Sequence, residues 1–570
     1  MQRILKSIFE AVRDKKDFVL ENGLAPEVDV QNLNDEVLIL ITLDINEHRL
    51  VFFQGRGKDF NEALNSCLKH VFDLRQEADF RLNSIRLDIV KDIRFAKKNN
   101  PVINPKKDEI IFKNGIDGIS IGHNFKAFFL PEEVLGKSLV KDKNLQVENV
   151  LDTLTHHYPI NKDVAFLENI RNAKKIEVKK MQTSSFFYSQ NYFRKLNNGY
   201  SVVSDVNKEV LSEAIMLTKD HYFKNCTNKK GKFIYSYLPW QDQAENRYNI
   251  LRHAGTTYCI LETFEFSKDK KLLDIAKSAI EFLLKKTVDF QVDGKYVNAV
   301  VEKDAIKLGG NGLLIIAIAK YIELTSDKKH LKLLQRMASW MEVIQDSEGR
   351  FSVHKQFYST GEITGFVSHY YPGEAMLALV RLYNIDKDER WLDVAERSAN
   401  YLINIRDKEA NEDTIAHDHW LLYALNELYR HRPKTMYMDH ALLITRAIIK
   451  TQVVGESDNV EINGAYKMPH IRLDSTPVAC RSEGLCAVYK LVRDCGGDFD
   501  KDKIKEAVRQ GIRFQLQMQL RKENVMFYKN KNLSLGGFQA GLNKYDLRID
   551  YTQHNLSSLI AFYQILDEDG

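Results

Sequence analysis

The chain has 570 residues, 44% of them hydrophobic and 28% charged. That is the balance of a folded protein, not a disordered one, and the length exceeds what one ordinary core organises, so two domains are expected. With 82 basic against 78 acidic residues the net charge is only +4, which gives no basic footprint for nucleic acid.

The cysteines at 67, 226, 259, 480, 486 and 495 include no C-x-x-C pair, so reduced thiols are expected, without a disulfide framework or a structural zinc site. The opening Met1-Gln2-Arg3-Ile4-Leu5-Lys6 reads as an amphipathic helix and not as a cleavable signal. No apolar run approaches the ~20 residues of a membrane span. The expected location is cytoplasmic.

Residues 1–190 read as mixed α and β. A helix is expected over Ile4 to Leu20, then a strand at Val37 to Leu43 with a partner at Arg49 to Phe53. Phe60 to Leu74 has helical spacing, with Leu64, Cys67, Leu68, Val71 and Phe72 on one face. Ile85 to Val90 alternates like a half-buried strand, and short strands fit Ile110 to Phe112, Gly118 to Ile121 and Lys126 to Leu130. Pro131-Glu132-Glu133 opens a helix with proline at its favoured first position. A closing strand fits Lys175 to Phe187. In that order, with the Leu-Pro-Glu-Glu helix start and a final strand carrying Gln182-Thr183-Ser184-Ser185-Phe186, this part resembles the AMMECR1-like domain. Where that family carries Leu-Arg-Gly-Cys-Ile-Gly, this chain has His48-Arg49-Leu50-Val51-Phe52-Phe53-Gln54-Gly55-Arg56-Gly57 and no cysteine. An interaction or packing module, with a protein partner, is therefore expected of it.

From Asn207 to the end the pattern is helical. Amphipathic segments at Lys208 to Tyr222, Lys271 to Lys285, Leu331 to Ile344, Trp391 to Ile405, Met436 to Lys450 and Ile504 to Leu520 alternate with more uniformly apolar ones. The latter fall at Tyr248 to Phe264, Gly312 to Leu324, Gly373 to Leu382, His419 to Tyr429, Glu483 to Val492 and His554 to Ile565. Striped helices half exposed and all-apolar helices inside are what a two-layer ring needs. The fold expected is an N-terminal α+β domain, residues 1–190, followed by an all-α (α/α)6 toroid over 207–570.

Each inner helix begins with a polar cluster: Arg252-His253-Ala254-Gly255, Gly309-Gly310-Asn311-Gly312, Tyr371-Pro372-Gly373-Glu374, His417-Asp418-His419-Trp420, Arg481-Ser482-Glu483-Gly484 and Asp550-Tyr551-Thr552-Gln553-His554. If the ring closes, all six meet at one mouth, where helix N-termini supply unpaired N–H groups and partial positive charge. The glycines suggest tight entry turns. Glycosidic cleavage needs two facing carboxyl groups; Asp418 and Glu374 are acid candidates, and Asp550, Glu483 and Asp242 are base or nucleophile candidates. His253, His419 and His554 suit proton transfer near neutral pH. Arg252 and Arg481 can clamp an anion, Asn311 and Gln553 offer polar contacts, and Trp240, Trp420, Tyr371 and Tyr551 offer rings for sugar stacking. No H-x-x-x-H or H-E-x-x-H spacing occurs, so neither metal nor cofactor is assigned.

In helix-pair order and rim clusters, residues 207 to 566 resemble the six-hairpin glycosidase superfamily. The resemblance implies a carbohydrate substrate and an enzyme acting on an oligo- or polysaccharide, most simply a hydrolase. Two alternatives stay open: a sugar epimerase or lyase working through histidine and tyrosine, and a catalytically silent binding or scaffold protein.

Overall fold

The computed structural model describes residues 1–16, 36–46, 48–74, 79–95, 117–121, 127–141, 144–157, 164–172, 178–197, 199–201, 205–456, 460–468 and 470–569, together with 18, 76 and 203. The chain forms two compact units. One comprises residues 1–202 with 239–243 and 520–531; the other comprises 203–238, 244–519 and 532–570.

The first unit contains α1 (Gln2–Arg13), β1 (Val37–Ile45), β2 (Arg49–Gly57), α2 (Phe60–Leu74), β3 (Leu82–Phe95), β4 (Gly118–Ile121), β5 (Ala127–Phe129) and α3 (Pro131–Gly136). A small hairpin of β6 (Val140–Lys141) and β7 (Asn144–Leu145) precedes α4 (Val147–His157) and α5 (Val164–Asn172), and β8 (Val178–Ser189), β9 (Tyr192–Asn197) and β10 (Tyr200–Ser201) follow. The antiparallel sheet runs β10-β9-β8-β3-β1-β2, with β4 on β8 and β5 on β4. Every residue of β1 is buried because both sheet faces are covered. Ile39, Ile41 and Leu43 pack under α1 and α2, while Leu38 and Leu40 face Val90, Phe128 and Met181. The strand expected at Ile110 to Phe112 lies outside the described residues.

The second unit begins with α6 (Lys208–Leu217) and the short α7 (Phe223–Asn225). It continues through α8 (Ile250–Ser267), α9 (Lys270–Leu284), α10 (Leu308–Thr325), α11 (Leu331–Val343), α12 (Tyr371–Asp386) and α13 (Glu389–Tyr401). Next come α14 (His419–His431), α15 (Thr435–Lys450), α16 (Ser475–Cys495) and α17 (Lys501–Leu516), then the short α18 (Lys522–Val525) and α19 (Lys531–Ser534), and α20 (Ile549–Glu568). Helices α8, α10, α12, α14, α16 and α20 each pack on the next, and α20 packs back on α8. The ring therefore closes, with α6, α9, α11, α13, α15 and α17 outside it. Helix α10 is long and apolar enough to cross a membrane by length and composition, but 72% of it is buried as one stave of this ring.

The helices begin earlier than the polar clusters suggest, and this corrects the role given to the glycines. Helix α10 begins at Leu308 and α16 at Ser475, so Gly310, Gly312 and Gly484 lie inside helices and form no entry turns. They permit close helix contact instead. A Cβ on Gly373 of α12 would stand 2.5 Å from the Leu421 nitrogen of α14, and one on Gly312 of α10 would stand 2.9 Å from the Glu374 carbonyl oxygen of α12.

The second unit is also not helical throughout. Among the described residues, small antiparallel sheets join 287–307 to 355–357, 466–468 to 470–472, and 236–238 to 539–548. The first contains a hairpin turning at Asp293-Gly294, both with positive φ (49° and 74°), the usual two-residue turn chemistry for twisted strands.

Candidate active site

The N-terminal halves of all six inner helices converge on a cavity of about 490 Å³. Its wall includes Arg252 of α8, Leu313 of α10, Tyr371 and Glu374 of α12, His419 and Trp420 of α14, Cys480 and Arg481 of α16, and Asp550, Tyr551, Gln553 and His554 of α20.

Of four buried carboxyl groups on these helices, Glu374 and Asp550 line the cavity, whereas Asp418 and Glu483 do not. Glu374 is 3% exposed and its Oε2 has no hydrogen-bond partner. Burial, reinforced by the negative charge of Asp418, pushes its pKa up to about 8. Asp418 caps α14: Oδ1 accepts from the N–H groups of Trp420 (3.0 Å) and Leu421 (3.1 Å), while Oδ2 has no partner. Burial raises it to about 7, against the pull of those N–H groups and Arg406. Glu483 lies eight residues into α16, so the helix start does not account for it. It accepts from His554 Nδ1 at 3.1 Å and lies 3.6 Å from His419 Nε2. Burial pushes Glu483 up to about 7, partly offset by His554.

The two rim histidines are driven apart. For His419, burial lowers the pKa well below the ordinary value, and both ring nitrogens lack hydrogen-bond partners. Burial opposes charge on His554 as well, but Cys480 and Glu483 more than offset it and hold the imidazole protonated. The rings stand edge to face with centroids 5.3 Å apart. Asp550, in the first turn of α20, forms ion pairs with Arg252 (2.8 Å) and Arg548 (2.5 Å). Arg481 donates to His417 Nδ1 at 2.9 Å and lies over the Tyr466 ring.

Four sequence candidates stand elsewhere. His253 is fully buried and lines no part of the cavity. Its Nε2 meets the Ala279 carbonyl at 3.0 Å, its Nδ1 meets the Tyr248 hydroxyl at 2.6 Å, and its ring stacks on Phe282. Burial takes it down to about 3, so it is a neutral packing residue. Asn311 is spent on the backbone: Oδ1 accepts from Val300 N–H, and Nδ2 donates to the Lys307 carbonyl. Asp242 and Trp240 fall in segment 239–243, which clusters with the first unit, and neither lines the cavity. Conversely, Cys480, Lys544 and Arg548 line it without having been site candidates. Only the helix-start pattern extended back to Arg548 would have pointed to that arginine.

His419, Cys480, Glu483 and His554 each present one ligand atom, and all four lie within 4.8 Å of one another. Two nitrogens, a sulfur and a carboxylate oxygen are a donor set suited to zinc or a similar borderline-soft divalent cation. The donors come from three helices, so no local spacing announces them.

Residues 294–495 match the model of a family described as the β-L-arabinofuranosidase GH127 catalytic domain. Glu374, Asp418 and Glu483 all fall inside the match, whereas Asp550 and His554 lie beyond it. No curated protein matches the chain. Among solved structures, a cellobiose 2-epimerase from Bacillus thermoamylovorans is similar at 11% identity and TM-score 0.48, over 63% of this chain and 100% of that one. A D-mannose isomerase shows 12% identity and TM-score 0.47, over 64% and 98%. An unsaturated glucuronyl hydrolase specific for heparin shows 13% and 0.45, over 63% and 97%. The toroid is defined by its own closed ring and not by these likenesses. The second unit is an (α/α)6 toroid.

Proposed function

We propose that this protein is a glycoside hydrolase whose general acid is Glu374. The observation that carries this reading is a carboxyl group that lines the cavity, is held protonated to about pH 8 by burial and by a neighbouring Asp418, and lies in a stretch matching a glycosidase catalytic domain. A carboxylic acid kept neutral beside a second one is how such sites protonate a leaving oxygen at ordinary pH. Glu483, steadied by His554, is the base or nucleophile. Asp550, committed to two guanidiniums, serves binding.

A second reading is supported by the His419–His554 pair. A neutral imidazole facing a protonated one is an acid–base couple fit for epimerisation of a sugar.

The test is a panel of aryl glycosides and oligosaccharides, including an arabinofuranoside, followed by product NMR. Hydrolysis releases free sugar, and Glu374→Gln is expected to lower kcat by about 100-fold or more. Isomerised but uncleaved sugar selects the epimerase reading, and full turnover by Glu374→Gln removes that residue from the mechanism.

A further inference from the structure

The cavity carries a surplus of positive charge at one place. Arg252, Asp550 and Arg548 form a triad in which one carboxylate sits between two guanidiniums. Arg252 Nε is 2.8 Å from Oδ2, Arg548 Nε is 2.5 Å from Oδ1, and Arg548 Nη2 is 2.9 Å from Oδ2. The remaining contacts of the two arginines are aromatic and uncharged: Arg252 Nη1 donates to the Tyr235 hydroxyl, and Arg548 lies 4.2 Å over the Tyr551 ring. Two positive charges against one negative leave the triad at +1. Each guanidinium has five N–H groups, of which these contacts use two, so each keeps donors in hand. Both arginines line the cavity and keep about a third and a quarter of their side-chain surface accessible (33% and 24%).

Nothing else in the wall cancels this charge. Lys544 and Asp474 pair with each other at 2.6 Å. Glu374 is the remaining acid in the wall, and as the protonated member of the proposed mechanism it contributes no negative charge. Arg481 also lines the cavity, but its guanidinium is engaged elsewhere, donating to His417 Nδ1 and to the Pro477 carbonyl and lying over the Tyr466 ring.

We propose that the cavity selects a sugar bearing a carboxylate, a uronic acid residue, and that Arg252 and Arg548 receive that carboxylate in forked hydrogen bonds. The inference rests on the carbohydrate reading of the same cavity and adds the substrate class to it. A planar carboxylate of single charge matches both the fork geometry and the +1 surplus. A phosphate, at close to two negative charges near neutral pH, would over-compensate the triad, and a neutral hexose would leave the surplus unanswered.

The experiment titrates the intact chain calorimetrically with glucuronate, galacturonate, glucose, galactose and glucose 6-phosphate. Uronates should bind about tenfold or more tightly than their neutral parents, the scale of a hydrogen bond to a charged group. Arg548→Gln should erase that preference, while Arg548→Lys, which keeps the charge and the Asp550 pair but loses the fork, should retain part of it. Circular dichroism melts confirm that each variant is folded. Equal or tighter binding of neutral sugars, tighter binding of the phosphate, or no measurable uronate binding at millimolar concentration overturns the proposal. So does an unchanged preference in both variants. An aryl glucuronide and an aryl glucoside are then compared for turnover. Uronate binding without cleavage of any glycoside would leave this inference standing and end the hydrolase reading. Equal cleavage of neutral and acidic glycosides would do the reverse.

Discussion

Both units bury charge, and they do so in opposite ways. In the first, Arg86 is wholly inaccessible but saturated. Its Nε and Nη2 donate to Asp88 at 2.9–3.1 Å, and its Nη1 donates to Glu132 at 2.7 Å. Burial works against its charge, and Asp88 and Glu132 more than offset that. In the toroid, Glu374 and Asp418 are nearly as deeply buried but have no cation in contact among the described residues; each leaves one oxygen without a partner, as Glu132 also does, and each is displaced toward neutral pH. A compensated buried charge is a structural device; an uncompensated one stores the proton-transfer capacity a catalytic site needs.

The comparison can be broken most decisively at Arg86. Arg86→Met leaves Asp88 and Glu132 buried around an apolar side chain and should destabilise the first unit by about 3–5 kcal/mol, read as a shift in the midpoint of urea unfolding. A loss below 1 kcal/mol would mean that the network is not structural.

The pH response sharpens the contrast. Glu374 has an ordinary pKa of 4.5 and a folded one of about 8. Between those values the unfolded chain has released a proton that the folded chain keeps, so stability should fall as pH rises through that window. Turnover should follow a bell with limbs near 7, set by Glu483, and 8, set by Glu374. Melting curves from pH 5 to 9 and kcat/KM profiles check both.

The smallest expected effect is on the melting of Glu374→Gln. Replacing an uncompensated acid by a neutral isostere should leave Tm at pH 6 within about 2 °C of the parent and raise it at pH 9, where the parent carries the buried charge. A large drop at both pH values would make Glu374 structural after all.

His253 and His419 show how much of the site was legible. Both are histidines one turn or less into an apolar inner helix, and the local pattern treats them alike. His253 turns outward between α8 and α9 onto Phe282, whereas His419 turns inward to His554. Helical periodicity marks which faces are apolar; it does not mark which polar side chain looks into the ring. Asn311 fails for a related reason, because the hairpin before α10 needs its amide to satisfy Val300 and Lys307.

What the chain determined by itself was the alternation of striped and all-apolar helices and the six polar clusters, since both follow from local spacing and amphipathicity. Which carboxyls share a cavity, which arginines surround Asp550, and which four donors come within ligand distance were decided only by closure of the ring. Glu374 and Asp550 are far apart in sequence, and both line one cavity because the ring closes, with α20 packed against α8. Contacts of that range, and the desolvation that shifts their protons, exist only once the tertiary structure has excluded water.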